Sequence, residues 1–380
     1  MLLRTKGLSS NIDQPIVGRV TRNKNKIDSN SVLIEDDSLT DVPNHRFLSI
    51  ISKQKDIPHN YDIPIVYNIP THDHLMEDDI IAISSDGNIN TLYRVNSNHN
   101  TLLSTERCNS NCLMCSQPPK DRDDVPYSYL IHSKLIPLIP KDCIELGISG
   151  GEPTLMGEYF YLLLEQIKSE LPNTEIHVLT NGRSFAWRNM TERLADIEHD
   201  KIMLGIPLYS DYYQQHDYIV QAHNAFSQTI LGLHNLARYN QRVEIRIVLH
   251  RQTIPRLTKL ARYIFKNLPF AEHVAFMELE YIGYTPHNIQ ALWIDPHDYQ
   301  DELTEAVEFL AGQGMNVSIY NAQLCVLSQR LWQYARKSIS DWKNNYLPEC
   351  EKCNKLNDCG GLFTWNLKKH SDYIKPFSTI

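Results

Sequence analysis

The chain has 380 residues, 42% apolar and 22% charged, an ordinary globular composition in a chain too long for one core, so two or three domains are expected. With 37 basic and 45 acidic residues the net charge is −8, which argues against a dominant nucleic-acid surface. The start, MLLRTKGLSSNIDQPIVG, lacks the apolar core of a secretory signal, and no window approaches about 18 uninterrupted apolar residues. No membrane association is therefore expected, and the expected compartment is the reducing cytoplasm, where disulfides do not persist.

Residues 1–99 read as a small β-rich domain. PIVGRV, SVLIE and IPIVYNI are short apolar or alternating runs, and Pro, Asn, Asp and Ser are dense between them. DDIIAISSDGNINTLYRV predicts a hairpin, with Ser85-Asp86-Gly87 supplying the turn. From residue 100 to 288 strand patterns alternate with helix patterns: CIELGIS before MGEYFYLLLEQIKSEL, EIHVLT before NGR and a helical stretch, KIMLGIPLY before AHNAFSQTILGLHNLARY, RVEIRIVLH before PRLTKLARYIFKNL, and then HVAFMELE. Together with the strand entering Cys108 this makes about six βα units, a parallel sheet and a partial (β/α)6 barrel. Residues 289–380 form a third region. DYQDELTEAVEFLAGQGM predicts a helix, NVSIYN a short strand and LCVLSQRLWQYARKSISDWK another helix, before PECEKCNKLNDCGG breaks the periodicity.

Six of the eight cysteines fall in two tight clusters. In a cytoplasmic protein clustered cysteines read as metal ligands before disulfides. Cys108, Cys112 and Cys115 are spaced C-x3-C-x2-C and follow a strand, at the end where βα-barrel active sites sit. Thiolates are soft ligands for zinc, copper(I) or iron–sulfur clusters. On spacing alone, the three fit either a zinc site completed by a distant ligand or a [4Fe–4S] cluster with one iron open to a small molecule.

The surrounding residues resemble the signature of radical S-adenosylmethionine (SAM) enzymes. C-x3-C-x2-C is followed about 35 residues later by GGEP, Gly150 to Pro153, at the end of the next strand, and then by LTNGR at 179–183 and HDYIVQAHNAFSQTILGLHNL at 216–236. The resemblance implies that Cys108, Cys112 and Cys115 hold a [4Fe–4S] cluster that reduces SAM to methionine and a 5′-deoxyadenosyl radical. It also implies that Gly150, Gly151 and Glu152 position the SAM methionine moiety, with Asn181 near the cofactor. Met114 stands where relatives carry an aromatic residue and is expected to pack on adenine. Pro207 occupies the region where many relatives place a polar ribose contact, leaving Tyr209 or Ser210 as substitutes. Arg246 is either a contact to the SAM carboxylate or a structurally paired arginine.

Cys350, Cys353 and Cys359 form C-x2-C-x5-C ending in CGG, which resembles the C-terminal extension of peptide-modifying radical SAM enzymes, termed SPASM or twitch. Setting aside Cys143 as a buried filler within CIELGIS leaves Cys325, Cys350, Cys353 and Cys359, enough for one complete auxiliary [4Fe–4S] cluster and a twitch-like domain. A zinc ribbon from the same four cysteines is the alternative. TERCNSNCLMCSQPPKD (105–121), LGISGGEPTL (146–155), GIPLYSD (205–211) and LCVLSQRLWQYARKSISDWKNNYLPEC (324–350) most resemble the C-type radical SAM maturases of His-Xaa-Ser systems.

That resemblance implies a ribosomally made precursor peptide with His-Xaa-Ser repeats, a companion radical SAM maturase and a reductant such as flavodoxin or ferredoxin. The expected change is oxidative, a crosslink or dehydrogenation. Residues 1–99 would be a precursor- or partner-docking element or a plain structural domain. The alternatives are a non-catalytic iron–sulfur partner subunit, an anaerobic sulfatase-type maturase and a zinc-stabilised interaction module. His273, His287, His297, Glu278 and Glu280 lie near late strands and are assigned no role.

Overall fold

The computed structural model describes residues 3–26, 28–40, 42, 46–58, 61–338 and 343–377. The chain divides into two units: residues 1–102 with 125–146 and 162–174, and residues 103–124 with 147–161 and 175–380.

Eight strands make up the first sheet: β1 (Arg4–Lys6), β2 (Leu8–Ser10), β3 (Ile16–Thr21), β4 (Ser31–Ile34), β5 (Ser49–Ile51), β6 (Ile65–Tyr67), β7 (Ile80–Ile83) and β8 (Asn88–Tyr93). The expected hairpin is β7 with β8, antiparallel, and Gly87 takes the positive φ of 79° in its turn. Strand order is β1-β8-β7-β3-β4-β5-β6-β2. β1 and β2 stand at opposite ends of that order although only Gly7 separates them. β1 pairs with β8 and β2 with β6, so the N-terminal segment links the two ends and closes the sheet.

The middle strands read as continuous apolar runs because both of their faces are buried. Alternation sends Val32, Ile51 and Val66 into one core and Leu33, Ile50 and Ile65 into another, all six being fully buried. No α-helix lies among the described residues before Leu102. Helix α1 (Val125–Leu135) and the turn after it belong to this unit, where the Arg19 guanidinium donates to the Leu138 carbonyl and Lys134 Nζ donates to that of Pro15. The CIELGIS reading is corrected here. The strand begins at Glu145, and Cys143 lies before it, half-buried, with its carbonyl accepting from Thr174 Oγ1.

The second sheet runs in sequence order through β9 (Asn100–Leu103), β10 (Glu145–Ser149), β11 (Glu175–Leu179), β12 (Ile202–Pro207), β13 (Arg242–Leu249), β14 (His273–Glu278), β15 (Val317–Tyr320) and β16 (Ala335–Arg336). The pairs from β11 to β16 are all parallel. Between strands run α2 (Glu158–Glu170), α3 (Arg188–Ala195), α4 (Tyr213–Val220), α5 (Ala225–Arg238), α6 (Leu257–Asn267), α7 (Ile289–Leu292) and α8 (Gln300–Gly312). The six expected strand–helix units are present, and β15 and β16 extend the same sheet. Along β13 the residues Val243, Ile245, Ile247 and Leu249 are buried, while Glu244 and Arg246 alternate with them onto the opposite face.

Two helical expectations change. The stretch 216–236 breaks into α4 and α5, because Gln221 and Asn224 both take left-handed backbone, at φ 52° and 57°. Residues 324–338 are not an α-helix but a turn, a short 3-10 helix (Gln329–Tyr334) and β16. The Trp332 indole N–H donates to the carbonyls of Leu324 and Leu327, at 3.0 and 3.1 Å, occupying groups that an α-helix would pair with its own amides. Residues 339–342, the end of that expected helix, lie outside the described residues.

Candidate active site

The ends of β9, β10 and β11 bring the signature segments together. Ser104, just after β9, donates from both N and Oγ to the Ser149 carbonyl at the end of β10, each at 2.8 Å. Gly151 N donates to Thr105 O at 2.6 Å and Glu152 N to Arg107 O at 2.7 Å. The glycines are required by this backbone-to-backbone approach. A Cβ on Gly150 would stand 2.6 Å from the Thr105 carbonyl oxygen, and one on Gly151 would stand 2.0 Å from that of Arg107.

The Glu152 carboxylate is buried and turned toward the next strand. It accepts from Thr154 N and Oγ1, from Thr180 Oγ1 at 2.6 Å and from Asn181 N at 2.7 Å. Burial pushes its carboxyl upward in pKa, and these hydrogen bonds oppose the shift. Asn181 carries the link onward. Its Nδ2 donates to Asn109 Oδ1 at 2.6 Å and lies 4.0 Å from Cys108 Sγ.

The cysteine loop is also held from its far side. Asn111 N and Leu113 N donate to the carbonyls of Val220 and Ile219 at the end of α4, at 3.0 and 2.9 Å. Tyr284 N donates to Cys115 O at 2.9 Å, and Asn288 Nδ2 to Leu113 O at 2.8 Å. Met114 is buried with Tyr209, Ile219, Val220, Leu279 and Leu292. Tyr209 stacks on His216 with ring centroids 5.9 Å apart, and Ser210 is fully buried, its Oγ accepting from Tyr212 N.

Burial, with the Glu152 charge adding to it, pushes the Cys108 thiol up to about 11. Burial likewise raises Cys112, where the neighbouring thiols Cys115 and Cys108 add, and it raises Cys115. Free thiolates are therefore disfavoured here, and a cationic centre is what would stabilise them.

Arg246 rests on a polar floor that the sequence did not reveal. Its Nη1 donates to Glu244 Oε1 at 2.7 Å and its Nη2 to Met277 Sδ at 3.0 Å. Glu244 also meets His273 Nδ1 at 2.7 Å and His177 Nε2 at 3.4 Å, and His273 Nε2 meets Ser318 Oγ at 2.9 Å. Burial alone would raise the Glu244 carboxyl. Hydrogen bonds from His177 and His273 and the Arg246 charge outweigh it and hold the group well below the usual carboxylate range. Gly205 leaves room for this cluster, since a Cβ there would stand 2.9 Å from His177 Nε2 and 3.0 Å from Arg246 Cδ. The available signal was charge at every second position of an apolar strand, Glu244 and Arg246, opposite His273 in the register.

Cys325, Cys350, Cys353 and Cys359 line one pocket with about 400 Å³ of empty space, part of it open to solvent. Its walls include Leu324, Leu347, Leu356 and Phe377. Cys359 Sγ accepts from Gly361 N at 3.5 Å and Cys353 Sγ from Phe377 N at 3.4 Å. Such N–H donors stabilise charge on sulfur. Burial raises the thiols of Cys325 and Cys350, and the neighbouring cysteines add to it. Among the described residues no three His, Cys, Asp or Glu side chains converge tightly enough for a single ion. Glu278 is buried at the end of β14, where Oε2 accepts from Gln323 Nε2 at 2.9 Å. Burial pushes its carboxyl up to about 8.

An open parallel sheet with three thiols on its first strand-end loop, and a glycine pair on the second, defines an α/β enzyme suited to a thiolate-bound cluster. Residues 102–264 match the Radical SAM superfamily. The solved structure of hexahistidine-tagged anSMEcpe with bound AdoMet is similar at 16% identity, over 73% of this chain and 88% of that one, with a TM-score of 0.51. Native anSMEcpe with bound AdoMet and Cp18Cys peptide aligns at 16% identity, over 73% and 91%, with a TM-score of 0.49. Streptococcus suis SuiB bound to S-adenosylmethionine aligns at 15% identity over 63% of this chain, with a TM-score of 0.48, and the chain spans 52% of SuiB's length. At 16% identity the likeness to tagged anSMEcpe is one of fold. No curated protein matches the sequence. No helix is long and apolar enough to cross a membrane among the described residues.

The residues present fit the group that the superfamily implies. Three soft thiols share one loop and sense one another's charge, and a glycine pair that tolerates no side chain borders them.

Proposed function

We propose that this chain is a cytoplasmic peptide-modifying radical SAM oxidoreductase that acts oxidatively, by crosslinking or dehydrogenation, on a ribosomally made precursor. Cys108, Cys112 and Cys115 hold a [4Fe–4S] cluster with one open iron. Gly150, Gly151 and Glu152 fix the segment that receives SAM, with Asn181, Met114 and Arg246 around it. When bound, the cluster and SAM supply a one-electron cleavage that yields a radical able to take hydrogen from an unactivated C–H bond. The chain's own task is to hold the cysteine loop rigid and keep water from it.

One observation carries the oxidative reading: Cys325, Cys350, Cys353 and Cys359, dispersed in sequence, line a single pocket. We assign them an auxiliary [4Fe–4S] cluster with all four ligands from protein, in a twitch-like domain over 289–380. A closed cluster suits acceptance of an electron from substrate rather than capture of SAM. The resemblance of 105–121, 146–155, 205–211 and 324–350 to C-type maturases of His-Xaa-Ser systems supports a His-Xaa-Ser precursor, a companion maturase and a flavodoxin or ferredoxin reductant. Residues 1–99 would serve docking, and 100–288 would carry the SAM chemistry.

Mass spectrometry of a co-expressed His-Xaa-Ser precursor, with wild type and with Cys112→Ala, tests this. A loss of two hydrogens per event that requires Cys112 is expected; an unchanged mass with altered stereochemistry overturns the oxidative assignment.

A further inference from the structure

The cysteine loop has a cationic anchor in Arg183, the last residue of LTNGR, to which the sequence reading gave no role. Gly182, at φ +74°, turns the chain after β11, and a Cβ there would stand 2.9 Å from Ile206. The turn sends Arg183 back across the loop. Its Nη1 donates to the Asn109 carbonyl and, at 3.0 Å, to Ser110 Oγ, the two residues that follow Cys108. Its Nε donates to Gln228 Oε1 of α5 at 2.7 Å, which fixes the guanidinium from behind.

A solvated surface arginine would not be tied on two sides. A lysine would not serve either, because one ammonium lacks the planar fork that meets the loop and Gln228 together. The guanidinium thereby sets a positive charge against the loop between Cys108 and Cys112.

We propose that Arg183 is a positioning residue for the three-cysteine site, fixing the Asn109–Ser110 segment and setting a positive charge against the loop between Cys108 and Cys112 that raises the reduction potential of the cluster bound there. This rests on the cluster assignment made under Proposed function. Net charge and hydrogen bonding around a cluster set its potential, so loss of a nearby cation makes reduction harder.

The test uses the full chain, reconstituted anaerobically, with Arg183→Gln, Arg183→Lys and Gln228→Leu. Two quantities are read without SAM turnover: iron retention against a chelator and the midpoint potential from an EPR-monitored redox titration. Arg183→Gln is expected to hold iron about 10–100-fold more weakly and to shift the potential negative. Arg183→Lys should keep the potential near wild type while holding iron less well, and Gln228→Leu, which leaves the charge in place, should do the same. Wild-type potential and retention in Arg183→Gln overturn the inference. If Arg183→Gln does not fold, wild-type iron retention in both other variants overturns it. A wild-type chain that binds no iron at Cys108, Cys112 and Cys115 overturns the proposed function and this inference with it, whereas a cluster indifferent to Arg183 overturns this inference alone.

Discussion

The loop after β9 takes three thiols from eight consecutive residues, whereas the C-terminal pocket gathers four from residues 325 to 359. The first is short in sequence and heavily braced from outside, by backbone contacts to the ends of β10 and α4 and to the Tyr281–Thr285 turn. The second is dispersed in sequence and lined by its own segment, Phe377 included. A site that leaves a metal position open for a small molecule needs rigid outside support, because the missing protein ligand cannot brace it. A site with four protein ligands is braced by the ligands themselves.

Five substitutions set this difference against experiment. Cys112→Ala should reduce 5′-deoxyadenosine formation from SAM and dithionite to background, whereas Cys350→Ala should leave it measurable; equal loss in both would erase the distinction. Gly151→Ala, which pushes a Cβ to 2.0 Å from the Arg107 carbonyl oxygen, should cost more than about 4 kcal/mol in urea unfolding and strip iron from the loop. Its failure to destabilise would show that the loop is not braced by β10.

Glu244→Gln should cost about 3 kcal/mol at neutral pH and weaken SAM binding through Arg246, with iron in the C-terminal pocket unchanged. The folded-state carboxyl lies below its ordinary 4.5, so its contribution is complete above that value and is lost as the pH falls below it. The difference between wild type and Glu244→Gln should thus be flat near pH 7 and shrink below about pH 4.5. Ser371→Ala removes the 2.6 Å hydrogen bond from buried Ser371 Oγ to Asp295 that ties down the tail. It should cost about 1 kcal/mol and hasten iron loss only from the C-terminal pocket.

Segments whose chemistry is local were readable from sequence. C-x3-C-x2-C, GGEP and TNGR each follow a strand pattern within a few residues, and a parallel sheet brings successive strand ends together. What depended on side-chain contacts across strands was not readable. The Glu244, His177 and His273 cluster needs the register of three strands, and His273 alone resembles any histidine near a strand. Glu278, considered for the late strand end, instead meets Gln323 in a buried setting. The packing of Met114 among Tyr209, Ile219 and Leu279 joins segments distant in sequence. The glycines of GGEP, read as room for a ligand, are needed first for contact with the cysteine loop's own backbone. Apolar spacing in 324–338 mimicked a helix, but the Trp332 indole took the carbonyls that a helix requires. Closure of the N-terminal sheet escaped notice because β1 and β2 are three residues each, too short to show alternation.

Two cluster sites of different construction in one chain are the central claim, and iron with acid-labile sulfide tests it most directly. After anaerobic reconstitution, wild type should carry about eight irons per chain, with Cys112→Ala and Cys350→Ala each falling to about four. About four irons in wild type, or a full complement in Cys350→Ala, would contradict it.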